Sequence, residues 1–504
     1  MTSFRLKVAI IPAMATLVLA GCRVGPKYNA PAATVQAPPA NYKESPTQSQ
    51  DSGGWKVAQP QDAMLRGKWW EIYNEPELNN LEDKLNIDNL NIKEFFENFM
   101  EARTLIAQAR AQLYPTLTTS PSFTRSRASG NLGTTASGTF VGGTQSSITT
   151  LPATASWAPD LWGRVRNTIR EMQYNAQLSA ADLENERLTE QATLAEVYFE
   201  IRGQDALQTL YQNTVEADKK ALDIAQSGYQ TGVVDQITVV EAENTLHTAE
   251  SALTNLGVAR AQYQHAIAML IGANPSSFTI PVKALTAAPP PVPVGVPSQL
   301  LERRPDIAAS ERAMASANAQ IGVAVAAFYP NLTLSAEGGL ESSTISHVLD
   351  WPSRFWSVGP SASETLFDAG LRRATVNQYI ATYNADVASY RQTVLTAFQQ
   401  VEDYLAAVRI LSKQIVQEQQ AVDSAQKYVK LETGRYDTGI DPYVDVVTAQ
   451  TTLLSNQQSL ATLQIQQMTA SVELIEALGG GWDRTQLPSP ADVSKKMGKL
   501  AIEK

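Results

Sequence analysis

The 504-residue chain holds a single cysteine, Cys22, and only three histidines. One thiol cannot close an intramolecular disulfide, and no Cys/His set for a structural zinc exists. His247 and His265 are 18 residues apart (265 − 247). That is about five turns at ~3.6 residues per turn, so they share a helix face but are too distant to hold one ion. His347 falls in an expected loop, and the nine methionines are not clustered. No HExxH, P-loop or nucleophile elbow is present, so no enzyme activity, resident metal or cofactor is expected. Positive charge is scarce as well: 40 Lys and Arg face 50 Asp and Glu, a net charge of −10 with a pI near 5.1. Without a basic face the chain is not expected to bind nucleic acid. Nothing after the first 20 residues or so reaches the ~18 to 20 apolar residues of a membrane helix. If the mature chain crosses a membrane it must do so as a closed β-barrel, in which every backbone group is paired.

The N-terminus is specific. Arg5 and Lys7 precede an apolar run from Val8 to Ala20 that closes on LAGC, Leu19 to Cys22. The run reads as a signal peptide over residues 1–21, too short for a membrane span. LAGC resembles the bacterial lipobox, which implies an S-diacylglycerol and an N-acyl chain on Cys22. Arg23 follows where an Asp would favour inner-membrane retention, so outer-membrane lipid is the expected anchor. Residues 22–65, rich in Pro, Ala, Gln and Ser, read as an extended, poorly packed tether. A second Pro-rich stretch, 273–300, separates two similar halves at 66–272 and 301–482, and a tail follows at 483–504.

The halves are a duplication. GYQTGVVDQITVVEAE (Gly228 to Glu243) returns as RYDTGIDPYVDVVTAQ (Arg435 to Gln450), 207 positions on (436 − 229). Tyr114-Pro115 and Tyr329-Pro330 fix an earlier offset of 215 (329 − 114), so the first half carries 8 extra residues (215 − 207), within the loop-like Ser126 to Ser147. Proline is missing between Pro159 and Pro275 and between Pro360 and Pro442. A helix from about Gly163 to Ser227 would therefore run roughly 95 Å at ~1.5 Å per residue. Beyond each turn, small and apolar residues alternate in steps of three and four: Val239, Ala242, Leu246, Ala249, Leu253 and Leu256, with Arg260 as a break, and Val446, Ala449 and Leu453 in the second copy, with Asn456 and Gln467 as breaks. This is a narrow coiled-coil seam between polar faces that need water. Period-2 segments suggest strands near 116–127, 148–160, 331–341 and 355–367. Four strands cannot close a barrel that needs ~8 or more, so oligomerisation must supply the rest.

CRVGPKYNAPA, KWWEIYNEPELNNLE, ERRPDIAASERAMASANAQIGVAVAAFYPNLTL, LFDAGLRRA, the two Y-x-T-G turns and ALGGGW, taken in this order, resemble the TolC/OprM/NodT family of outer-membrane factors. The resemblance implies a mainly α protein with a membrane β-barrel. A homotrimer would complete a 12-stranded barrel from four strands per protomer, continued by a long periplasmic α-helical barrel. The implied function is a passive exit duct serving a periplasmic adaptor and an inner-membrane RND-type pump. Type I protein or peptide secretion is the alternative cargo route, and a lipid-anchored adaptor or structural coiled coil the alternative class. By position, the resemblance makes Tyr436 a constricting tyrosine and Asp445 a ring-forming acid at the closed tip. Positions where some relatives carry a locking Arg hold Gln236, Asp441 and Tyr443 here, and Thr448 replaces a second ring Asp. Arg435, Asp437 and Asp441 are the substitutes suggested by charge. Three-fold symmetry would gather such carboxylates in a narrow wet passage, concentrating cations and raising their pKa values. The same acids could instead cap helices, Asp441 ahead of Pro442 above all. Tyr229, Asp235 and Glu241 of the first copy are read as outer-rim positions.

Overall fold

Two helices of 67 residues each, and two of 35, set the architecture. The computed structural model describes residues 23–34, 38, 41–44, 67–127, 129, 145–285, 288–292 and 299–495. The signal segment and Cys22 lie outside the described residues. In chain order come α1 (Pro76–Asp88), α2 (Leu90–Ala111), β1 (Thr116–Thr119), β2 (Ser122–Arg127), β3 (Gln145–Trp157), α3 (Arg164–Gln230) and α4 (Gln236–Leu270). The second half supplies α5 (Pro305–Ala326), β4 (Asn331–Ser342), β5 (Arg354–Ser363), α6 (Leu371–Asp437) and α7 (Tyr443–Ala477). Helix α5 begins 215 positions after α2 (305 − 90), and α6 begins 207 after α3 (371 − 164).

Each long helix starts at a glycine with positive φ, Gly163 (77°) and Gly370 (89°). Just upstream an aspartate collects the orphan first-turn amides: Asp160 accepts from the Val165 and Arg166 N–H groups at 3.0 Å. Asp368 accepts from those of Gly370 and Arg372 at 3.0 and 3.3 Å. With no interior proline, α3 and α6 then run about 100 Å at ~1.5 Å per residue. The main core sits half-way along them. Trp69, Leu78 and Leu85 from the α1 region meet Leu194, Tyr198 and Ile201 of α3, Val401 of α6 and Val472 and Ile475 of α7. Beyond this level towards the turns, α3 is paired with α4 by a thin seam of Val215, Leu246 and Ala249.

The break at Arg260 marks where the seam meets that core. Arg260 Nε donates to Asp205 at 2.7 Å and its Nη2 to the Ile280 carbonyl at 3.0 Å. The Pro-rich segment is thereby fastened to α3 and α4, and the Leu285 N–H reaches the Arg202 carbonyl at 3.1 Å.

The sheet has the order β1-β3-β4-β5, with β2 also on β3, all antiparallel. The strand expected at 116–127 is split at Ser120-Pro121, opposite Leu151-Pro152 of β3. Two residues without N–H groups leave the ladder nothing to donate there, and Thr119 Oγ1 reaches the Pro152 carbonyl at 2.7 Å instead. The last expected strand ends at Ser363, short of 367. Register sorts the two faces by chemistry. One carries the rows Leu117, Ala155, Ala336 and Val358, then Ala153, Gly338 and Trp356, then Trp157, Leu334 and Pro360. The other carries Thr118, Thr154, Glu337 and Ser357, then Thr116, Ser156, Ser335 and Gly359. Leu117, Trp356 and Val358 are more than 70% exposed on the apolar face.

Gly339 faces Pro152, and a Cβ there would sit 2.3 Å from the Leu151 carbonyl oxygen, while one at Gly359 would meet nothing within 4 Å. Gly339→Ala should therefore force β3 and β4 apart at a cost of about 1–3 kcal/mol. The yield of SDS-resistant folded protein should fall, with Gly359→Ala unchanged; equal yields would remove the close-approach argument.

Two expectations need correction. Residues 23–34 and 41–44 are not a loose tether: Tyr28 Oη donates to Glu311 Oε1 at 2.5 Å, the Lys43 and Glu44 amides donate to Glu402 at 2.8 and 3.0 Å, and Glu44 pairs with Arg409. This strap runs from the sheet end of α3 to the mid-length of α6. Nor do residues 484–495 trail as a tail. Gln177 donates to the Pro488 carbonyl at 2.8 Å and Arg110 to that of Ser494 at 2.9 Å, beside a capping box at Ser489 and Asp492.

Candidate functional site

The two helix turns lie side by side at the end of the molecule opposite the sheet. Each closes by the same backbone device. Gly439 (φ 73°) donates to the Tyr436 carbonyl at 2.8 Å and Ile440 to that of Arg435 at 2.9 Å; Gly232 (φ 75°) and Val233 repeat this on Tyr229 and Gly228 at 3.0 and 2.8 Å. This is the Schellman pattern, which needs the left-handed residue that glycine supplies. The preceding threonine returns its hydroxyl to the last carbonyls, Thr438 to Gly434 and Arg435, Thr231 to Ser227 and Gly228, at 2.9–3.1 Å. The Y-x-T-G motif is thus a helix stop.

Between the turns α3, α4, α6 and α7 meet in a small apolar cluster of Ala225, Ala242, Tyr443 and Val446, with Tyr436 packed against it. Tyr436 and Tyr443 tilt together with ring centroids 5.3 Å apart. Burial and Asp437 push the Tyr436 phenol up, and burial with the nearby Asp218 raises Tyr443 to about 12. Asp218 of α3 is itself buried, its Oδ2 has no hydrogen-bond partner, and burial lifts it to about 6.

The second turn carries charge that the first lacks. Arg435 embraces Asp441 with two hydrogen bonds, Nε to Oδ2 and Nη2 to Oδ1, the latter 2.9 Å, and lies 4.0 Å from Glu432. Glu432, Asp441 and Asp445 can each present an oxygen within 4.8 Å of the others. Two carboxylate helix positions, 432 and 445, thus share one cation with the turn. Partial withdrawal from water, then Asp441, pushes Glu432 up, whereas the guanidinium holds Asp441 below the usual carboxylate range. The same acids raise Arg435. That spacing is one a metal ion could use, but the guanidinium already holds both Asp441 oxygens.

Of the residues singled out from sequence, Arg435, Asp441 and Asp445 are brought together. Asp437 is exposed at the end of α6 and is not part of the cluster. Asp441 does not cap α7: the N-cap is Pro442, which offers no side chain. In the first copy Asp235 caps α4, accepting from the Thr238 N–H and Oγ1 at 3.0 Å, which lowers its pKa. Tyr229 is half exposed and Glu241 half buried on α4. Glu432 and Asp218 are not singled out by the sequence, and Tyr443 stands out there only as a position where some relatives carry Arg. For Glu432 a signal existed, since it precedes Arg435 by one helical turn at i, i+3.

The family described as outer membrane efflux protein matches residues 84–273 and 296–480. The solvent efflux pump outer membrane protein SrpC of Pseudomonas putida is 30% identical over 489 residues, covering 95% of this chain and 100% of that one. Outer membrane protein OprJ of Pseudomonas aeruginosa is 28% identical, covering 93% and 94%. The solved outer-membrane channel OprN superposes with a TM-score of 0.79 at 25% identity, over 92% of this chain and 100% of that one. The Campylobacter jejuni CmeC outer membrane channel gives 0.81 at 21% identity over 93% and 97%, a likeness of fold. The chain belongs to the outer membrane efflux protein family, the outer-membrane channels of efflux pumps.

Proposed function

We propose that three copies of this chain form one duct, closed at rest by the helix turns, that passively passes substrates from an inner-membrane RND-type pump and its periplasmic adaptor to the outside. The observation that carries the reading is the sheet. No helix covers either its apolar face or its Thr/Ser/Glu face, which are partly to fully exposed over most of their length, and among the described residues its order ends on β1 and β5, each paired on one side only. An apolar face suits lipid, a polar face a wet lumen, and two free edges suit closure with neighbouring copies. Four strand positions per protomer give twelve in a trimer. The long helices then continue the lumen through the periplasm, and lipid on Cys22 anchors each protomer in the outer membrane. Relatives are named for solvent, toluene and antibiotic efflux, and small organic compounds are the cargo proposed here. At the tip, Tyr436, Asp445 and the Arg435–Asp441 pair form the constriction.

Planar-bilayer recording of the purified lipoprotein tests this. Small cation-selective currents are expected, with Asp445→Ala and Tyr436→Ala raising conductance; absence of any pore would overturn the reading. Mass spectrometry of the mature N-terminus should find acyl chains on Cys22, and a bare cysteine would remove the anchor.

A further inference from the structure

Where the strap begins, at the sheet end of α3, the backbone is tightly seated. The Val24 N–H donates to the Trp162 carbonyl at 3.1 Å, and Asn167 Nδ2 donates to the Val24 carbonyl at 3.0 Å. A Cβ on Gly163 would lie 2.7 Å from Arg23 Cγ, and one on Gly25 2.6 Å from the Gly322 Cα. These two glycines let Arg23 rest on the start of α3 and let the strap lie flat on α5.

Two cavities of about 560 and 340 Å³ open there, and Arg23, Lys27 and Arg170 line both, joined in the larger by Arg166. Among the described residues no carboxylate lines either cavity. Asp160 holds Arg166 at 3.1 Å, but among the described residues no ion pair reaches Lys27 or Arg170. Arg23 Nη1 is buried with no hydrogen-bond partner. A buried guanidinium N–H without an acceptor costs free energy, and a site of clustered cations around it is chemically incomplete. The acceptor that fits is a phosphate, which offers several anionic oxygens to forked donors.

Depth favours a lipid as the source. Trp162 stacks on Tyr329 with centroids 4.9 Å apart and donates to the Pro330 carbonyl at 2.8 Å, and Trp157 donates to that of Leu113 at 2.9 Å. Amphipathic rings at the foot of a membrane sheet mark headgroup level. We propose that the Arg23–Lys27–Arg170 cavities bind the phosphate of an anionic glycerophospholipid in the periplasmic leaflet, a second, non-covalent lipid hold beside the acylated Cys22. This rests on the reading that the sheet lies in the bilayer.

Native mass spectrometry of the full-length lipoprotein tests it, after equilibration with phosphatidylglycerol or with zwitterionic phosphatidylcholine. Wild type should retain the anionic lipid about tenfold better, the scale of charge-assisted hydrogen bonds. Arg23→Gln with Arg170→Gln should remove that preference. Lys27→Gln, an exposed side chain whose loss leaves folding intact, should weaken it several-fold. Lys220→Gln, some 50 residues along α3 (220 − 170), should not change it. Equal retention of both lipids, or no loss in any variant, would overturn the site. Displacement of the lipid by millimolar inorganic phosphate would reassign it to free phosphate and overturn the lipid claim. Bilayer conductance separates the two readings: pores that conduct without lipid preference sink only this site, whereas a wild type that forms no pore sinks the channel.

Discussion

Arg435→Ala should raise the conductance of the resting channel about tenfold, and Arg435→Lys much less. Among the described residues the Arg435 guanidinium is the cation paired with Glu432 and Asp441 and influenced by Asp445, three acids whose oxygens approach within 4.8 Å. Without it three carboxylates confront one another across the junction of α6 and α7, and their repulsion drives the turn away from the helix it rests on. One exposed pair is worth only about a two- to fivefold change in an equilibrium. Three copies that open together multiply that factor, which is how a weak pair reaches an order of magnitude. Lysine restores the charge but not the fork that holds both Asp441 oxygens. The effect should shrink in ~1 M salt, where charges are screened within ~3 Å. It should shrink again on acidification, with Glu432 taking its proton first because its pKa is the raised one. Adding Glu432→Gln to Arg435→Ala should recover part of the closed state. A conductance unmoved by either change would place the constriction elsewhere.

Much of the helical frame is legible in the sequence because its determinants are local. Long intervals without proline permit α3 and α6, glycine with positive φ begins and ends them, and a repeated Y-x-T-G writes the stop twice. The packing of the strap is illegible for the opposite reason. Its Pro, Ala, Gln and Ser say that it cannot fold alone, but its partners Glu311, Glu402 and Arg409 lie more than 280 positions away and no local pattern announces them. The break of β1 from β2 needs register, since Pro121 and Pro152 fall at neighbouring steps of one ladder, opposite Leu151 and Ser120.

The tip was half legible. Its acids stood out because the first copy holds Val234 and Thr238 where the second holds Asp441 and Asp445. Pairing was not legible, because Glu432 and Asp441 come from opposite sides of the turn and meet only once Gly439 reverses the chain. Nor does the sequence show what Tyr436 rests on, since its contact with Tyr443 is set by the packing of four helices.

Asp205→Ala should destabilise the helical body by about 3–5 kcal/mol, the cost of stripping the counterion from a buried charge. Asp205 is fully buried on α3 and accepts three bonds, from Arg202 Nη1 at 3.1 Å, Arg260 Nε at 2.7 Å and the Lys283 amide at 2.9 Å. Arg202, its side chain 2% exposed, also reaches Glu77 and the Pro281 carbonyl. One carboxylate therefore ties α3, α4, α1 and the Pro-rich segment at the level where the coiled-coil seam gives way to the main core. Asp205→Asn keeps the shape but loses the charge and turns one acceptor into a donor that faces a donor, so it should cost less than alanine yet remain clearly destabilising. Arg260→Leu makes the sharper test. It repairs the apolar repeat that Arg260 interrupts, so a seam-dominated helix pair would gain stability. The network argument gives the opposite sign, because leucine frees the Ile280 carbonyl and leaves Asp205 one partner short. Apparent Tm by circular dichroism at 222 nm should fall for Asp205→Ala, Asp205→Asn and Arg260→Leu, in that order of severity for the first two; a rise for Arg260→Leu would show that the seam, not the buried charges, governs this level.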